Sequence, residues 1–130
     1  MTLLEALRDP NLFARHFNSK SWATWRVFLA ALFAEKPTGD DLAVYQALTG
    51  RTKWPTSPFA EAVLIVGRRG GKSRILALIT AYFATLIDYS PFLAAGERAT
   101  IAVLASDRGQ ARNIFRFVIG FCGRRRCSSN

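Results

Sequence analysis

The sequence predicts an α/β fold, a partial parallel sheet preceded by a small helical region. Three observations carry this expectation. Residues 62–66 (Ala-Val-Leu-Ile-Val) and 100–104 (Thr-Ile-Ala-Val-Leu) are continuous apolar runs rich in β-branched residues, the pattern of strands buried on both faces. Each run is followed by a segment with helical periodicity, and a strand–helix–strand–helix order implies parallel pairing. The first fifty residues, by contrast, show only the 3.6-residue period of helices with one buried face.

Taken in order, residues 2–17 read as an amphipathic helix with Leu3, Leu4, Leu7, Phe13 and Phe17, interrupted at Asp9-Pro10. Ser19 or Ser21 caps a second helix over about 22–35. Trp22, Trp25, Phe28, Leu29, Leu32 and Phe33 form its apolar stripe, and Pro37 and Gly39 end it. A third helix starts near Asp40 or Asp41, carries Leu42, Tyr45 and Leu48 on one face, and closes at Gly50. Residues 51–59, with Pro55 and Pro58, are a loop in which Trp54 serves as an anchor or as a surface for an adenine ring. Beyond the first strand, a glycine-rich turn leads into a helix over 72–87 that is apolar nearly all round, as for a helix packed in an α/β layer. Tyr89-Ser90-Pro91 breaks it. After the second strand, Asp107 starts a last helix running to Phe121, with Ala111, Ile114, Phe115 and Val118 toward the core. Three regions result: a helical N-terminal region (1–58), a sheet-containing core (59–122) and a disordered basic tail (123–130).

The charge is unevenly placed. The 130-residue chain carries a formal net charge of +9. Residues 1–50 balance five basic against five acidic side chains, whereas residues 51–130 hold thirteen against four. Such a field favours a polyanion: a nucleotide, a nucleic acid or an acidic protein. Arg108, Arg112 and Arg116 recur every fourth residue and line one stripe of the last helix, a candidate contact for nucleic-acid phosphates. Cys122 and Cys127, with His16 as the only histidine, do not complete a tetrahedral zinc site and read as reduced thiols. Glu5, Arg8 and Asp9 interrupt any signal peptide, and the apolar stretch 75–87 is shorter than the roughly 20 residues a membrane span needs. The expected location is the cytoplasm, with no membrane partner.

The strongest chemical signal is Gly67-Arg68-Arg69-Gly70-Gly71-Lys72-Ser73. Gly70 and Gly71 open backbone conformations closed to other residues and let N–H groups approach phosphate. The helix starting at Lys72 points its positive end at the same place. Lys72 reaches the β- and γ-phosphate oxygens, and the Ser73 hydroxyl is offered to Mg²⁺. The expected nucleotide-binding set is therefore Gly67, Arg68, Arg69, Gly70, Gly71, Lys72 and Ser73, with ATP and Mg²⁺ as cofactors. Lys72 and Arg68 are the catalytic candidates, Arg68 as an arginine stabilising charge at the γ-phosphate. The usual spacing G-x4-G-K-[ST] places its first glycine at Val66, one residue before Gly67, so the loop is a variant. With this loop between strand and helix, the predicted sheet is of the P-loop NTPase type.

Together these stretches resemble the N-terminal ATPase domain of phage terminase large subunits. They are Trp22-x2-Trp25-x2-Phe28-Leu29-x2-Leu32-Phe33, then Tyr45-x3-Thr49-Gly50-Arg51, then residues 60–73, then Ile101 through Ala111 with its Asp107-Arg108-x-Gln110-Ala111 turn. The resemblance covers about residues 20–120. It implies a DNA-packaging motor ATPase in a bacterial host, with Arg68 as the loop arginine. The partners it implies are ATP, double-stranded DNA, the portal and the small terminase subunit. The family also has an apolar strand ending in Asp-Glu and a nuclease domain. Here Asp40-Asp41 is the only adjacent acidic pair, and it precedes the loop. The chain is thus expected to be a fragment, the ATP-binding part of such a motor with an incomplete P-loop ATPase core, and to show little or no turnover alone. The alternatives are a stand-alone small P-loop nucleotide-binding protein and a non-catalytic prophage remnant. A GTPase or small kinase is disfavoured, because no Asn-Lys-x-Asp or acceptor-binding motif is present.

Overall fold

A computed structural model describes residues 1–123, and every regular element among them is helical. Six α-helices follow in order: α1 (Leu3–Arg8), α2 (Ala14–Phe17), α3 (Ala23–Leu32), α4 (Asp41–Thr49), α5 (Lys72–Thr85) and α6 (Arg108–Cys122). Single 3₁₀ turns lie at Lys20–Trp22 and Ser90–Phe92. The predicted α/β fold with its P-loop NTPase-type parallel sheet is therefore corrected: among the described residues there is no strand, and the fold is small and all-helical. Segments 62–66 and 100–104 have no regular structure. Val63 is 88 % exposed and Leu104 91 %. An apolar, β-branched run states a preference for burial in a sheet, but a strand also needs a neighbour to take its N–H and C=O groups. Two such runs, both requiring cover on two faces, do not make a stable parallel sheet by themselves. The expected tail falls almost wholly on residues 124–130, which with Arg124–Arg126 and Cys127 lie outside the described residues.

The chain divides into two units, Met1–Ile65 and Val66 onward. In the first, α1 begins with a capping box: the Glu5 amide donates to the Thr2 hydroxyl (3.2 Å) and the Thr2 amide to the Glu5 carboxylate (2.7 Å). The expected break at Asp9-Pro10 separates α1 from α2. Leu3, Ala6, Leu7, Phe13, Phe17, Val27, Leu29, Ala30 and Ala31 fill the core, each large one worth about 1.5–3 kcal/mol on burial. Helix α3 ends in a Schellman turn: Glu35 N–H bonds Ala30 O (2.8 Å) and Ala34 N–H bonds Ala31 O (3.1 Å). Ala34 occupies the left-handed position (φ 53°) where glycine is usual. Glu35 then ties three segments together. Its carboxylate accepts from the Leu4 amide (3.2 Å), and its carbonyl accepts from Trp54 Nε1 (2.9 Å). Trp54 also packs on Tyr45, with ring centroids 5.1 Å apart, so it is the loop anchor. On α4 only Tyr45 is buried, while Leu42 and Leu48 are exposed, against the expected apolar stripe.

In the second unit α5 and α6 pack against each other. Ile75, Ala77, Leu78, Ala81 and Tyr82 of α5 and Ile114 of α6 are buried. Helix α5 starts at Lys72, as the sequence predicts, and ends at Thr85, two residues early. It buries one face only: Leu76 is exposed, so the expectation of cover all round is corrected. A helix packed on one helix buries a stripe, whereas one inside an α/β layer is covered on most of its circumference.

Candidate functional site

The loop 67–73 leads directly into α5. Gly70 N–H donates to Gly67 O at 3.3 Å, closing a tight turn. A Cβ built on Gly70 would lie 2.5 Å from Val66 Cγ1 and 3.1 Å from Gly67 O, so any side chain there must displace Val66. Two residues of the loop have left-handed backbone, Arg69 (φ 58°) and Gly71 (φ 85°). For glycine this is free, whereas for arginine it costs about 1–2 kcal/mol. Gly71 is the N-cap of α5, and its carbonyl accepts from both Arg74 and Ile75 amides at 3.1 Å. The cap itself has no side chain to offer the first-turn amides. Lys72 is the first helical residue and is exposed, and Ser73, the second, is half-buried. Lys72 and Ser73 thus stand at the positive end of a 14-residue helix. Arg68 and Arg69 are exposed and make no ion pair with a described residue.

The second set of predicted residues lies on α6. Asp107 caps the helix, its carboxylate accepting from Gln110 N–H at 2.9 Å, at the start the sequence predicts. Arg108, Arg112 and Arg116 are all exposed on one side. Of the four residues expected in the core, Ile114 is buried and Ala111 and Val118 are half-buried. Phe115 is corrected: it is 58 % exposed, as is Ile119. Both lie within about 100° of helix circumference of the three arginines. Periodicity alone had joined Phe115 to the core because it flanks Ile114.

A concavity in the first unit has no sequence signal that finds it. It has a volume of about 510 Å³, an apolar floor that includes Leu7, Phe17 and Val44, and Arg8, Arg26, Asp40 and Asp41 around it. Arg26 is already committed, with Nη1 donating to Phe17 O (2.8 Å) and Ser19 O (3.2 Å). Asp41 accepts from the Thr38 amide and hydroxyl. Gln46 donates to Thr52 O. No three His, Cys, Asp or Glu side chains among the described residues are grouped to hold a metal ion, and no helix among them is long and apolar enough to cross a membrane. A Mg²⁺ at Ser73 would take most of its oxygens from nucleotide phosphates and water.

No family model, no curated protein and no solved structure matches the chain. The resemblance to terminase large subunits is accordingly withdrawn. The sheet that the family's ATPase domain is built on does not form among the described residues, and no match supports the kinship. The portal and the small terminase subunit entered only through that resemblance and go with it.

Proposed function

We propose that residues 67–73 bind the phosphates of a nucleotide, ATP carried with Mg²⁺. One observation carries the reading. A glycine-rich turn holding Lys72 and Ser73 opens straight into a long helix whose N-cap, Gly71, makes no side-chain cap. In this reading the N–H groups at the start of α5 and the helix dipole meet the β-phosphate. Lys72, on the surface, closes on the β- and γ-oxygens, Ser73 supplies a hydroxyl to Mg²⁺, and Arg68 adds charge at the γ end. The strained backbone at Arg69 fits a loop shaped for a ligand rather than for packing alone. In the sequence, no acidic pair follows the loop to organise the metal and activate water, so binding with little turnover is expected.

Titration calorimetry with Mg-ATP tests this. Lys72→Ala removes a charge-assisted contact of about 1.5–3 kcal/mol and should weaken binding at least tenfold. Arg68→Ala should weaken ATP more than ADP. Ser73→Ala should lessen the gain that Mg²⁺ gives. Equal affinity for Mg-ATP in the wild type and Lys72→Ala would sink the assignment. Phosphate release should stay near that of the Lys72→Ala control.

A further inference from the structure

We infer that the outer face of α6 binds single-stranded nucleic acid, with Phe115 as the stacking residue and Arg108, Arg112 and Arg116 on the phosphates. The inference is independent of the loop and rests on the make-up of one helix face. The three arginines are exposed and follow one another at four-residue intervals, about 6 Å apart along the axis. No acidic side chain shares the face. Asp107, just before the helix, accepts from the amide of Gln110 as the cap. Charge complementarity therefore asks for a polyanion.

The apolar members of the face decide which polyanion. Phe115 lies at the edge of the arginine stripe, three residues after Arg112, with more than half its surface in water, and Ile119 follows one turn later. An aromatic ring beside a row of cations is the arrangement on which an unstacked base lies while its backbone is held. A duplex keeps its bases stacked on one another and has no use for the ring. An anionic bilayer asks for a wide apolar face to sink into. On α6 the wide apolar side, with Ile114 buried and Ala111, Val118 and Phe121 half-buried, is the side turned inward. Two apolar residues among three arginines are too few for a membrane face and suit one or two bases.

The test is fluorescence anisotropy of the full chain with a labelled 12-nucleotide oligothymidine, the matching duplex, and phosphatidylserine vesicles as competitor. The single strand should bind more tightly than the duplex. Phe115→Ala should weaken the single strand about tenfold and leave the duplex unchanged. Phe115→Tyr should retain binding, and Phe117→Ala, off this face, should have no effect. Replacing all three arginines with glutamine should flatten the dependence of log K on log salt by about two units. Circular dichroism checks that each variant keeps its helices. Equal affinity of Phe115→Ala and wild type for the single strand would overturn the inference. So would an equal loss on strand and duplex, or vesicles binding where the oligonucleotide does not.

Discussion

Residues 1–65 and residues 66–123 reach helical structure by different means. In the first unit, short helices of four to ten residues are held by bonds between distant segments. Glu35 joins the start of α1 to the Trp54 loop, the Phe59 amide donates to Leu32 O (2.9 Å), and Arg26 closes on the carbonyls of Phe17 and Ser19. Helices this short are not stable alone, so tertiary ties supply what length does not. In the second unit, two helices of 14 and 15 residues form with little such bracing shown among the described residues and bury a single stripe between them. Long helices and a narrow core leave one side of each helix open; the arginine face lies on the open side of α6, and the loop residues stand at the start of α5. The contrast teaches that the better-braced unit carries few chemical candidates, while the less-braced one carries nearly all of them.

The largest test of this contrast is a matched pair of core truncations. Leu29 and Leu78 are both fully buried. Leu29→Ala should cost about 3 kcal/mol or more, because a braced site cannot close over the cavity. Leu78→Ala should fall nearer about 2 kcal/mol, since α5 and α6 can settle toward each other. Urea unfolding followed by tryptophan emission reads the first, because Trp22, Trp25 and Trp54 all lie in the first unit. Amide exchange along α5 and α6 reads the second. Equal costs would mean that bracing does not distinguish the two. Next in size, Glu35→Ala should cost about 1–2 kcal/mol by removing a charged acceptor from the start of α1. Its carbonyl bond to Trp54 is kept, so tryptophan emission in the folded state should change little.

Ala34→Gly should act in the other direction. It relieves the left-handed strain at the end of α3 and should stabilise the chain by roughly 1 kcal/mol. A lower urea midpoint would show that the Schellman turn is not under strain. The smallest effect belongs to Asp88, fully exposed, whose carboxylate accepts from the Ser90 hydroxyl (2.6 Å) and amide (2.9 Å). The hydroxyl bond, then the amide bond, hold its pKa below the ordinary 3.8. A depressed carboxylate contributes stability above its unfolded pKa and loses it as pH falls through the folded value. The turn should therefore loosen only in acid, below about pH 4. An NMR titration in which Ser90→Ala leaves the Asp88 midpoint in place would contradict the attribution.

Helix position was legible because it is written locally. Asp107 names the start of α6, Gly50 the end of α4, and Gly71-Lys72 the start of α5. What the sequence could not supply was the partner of each element. The run 62–66 looks the same whether or not a neighbouring strand exists. Periodicity places Phe115 inside because it does not say how wide an arc is covered, and a helix lying on a sheet buries a broader arc than one lying on α5 alone. The loop 67–73 was legible as a glycine-rich entry to a helix. The left-handed arginine within it was not, because nothing in the residue type asks for that backbone.

The segments 62–66 and 100–104 also bear on how long the molecule lasts. Their backbone groups take part in no hydrogen bond among the described residues, and their side chains lie largely in water. A protease acting on a helix must wait for that helix to open, so cleavage there is slowed by the free energy of opening. At these two stretches no opening is required. Lifetime in the presence of proteases is then set by access to two short apolar stretches on either side of α5, and raising the melting temperature of the helices would do little to extend it.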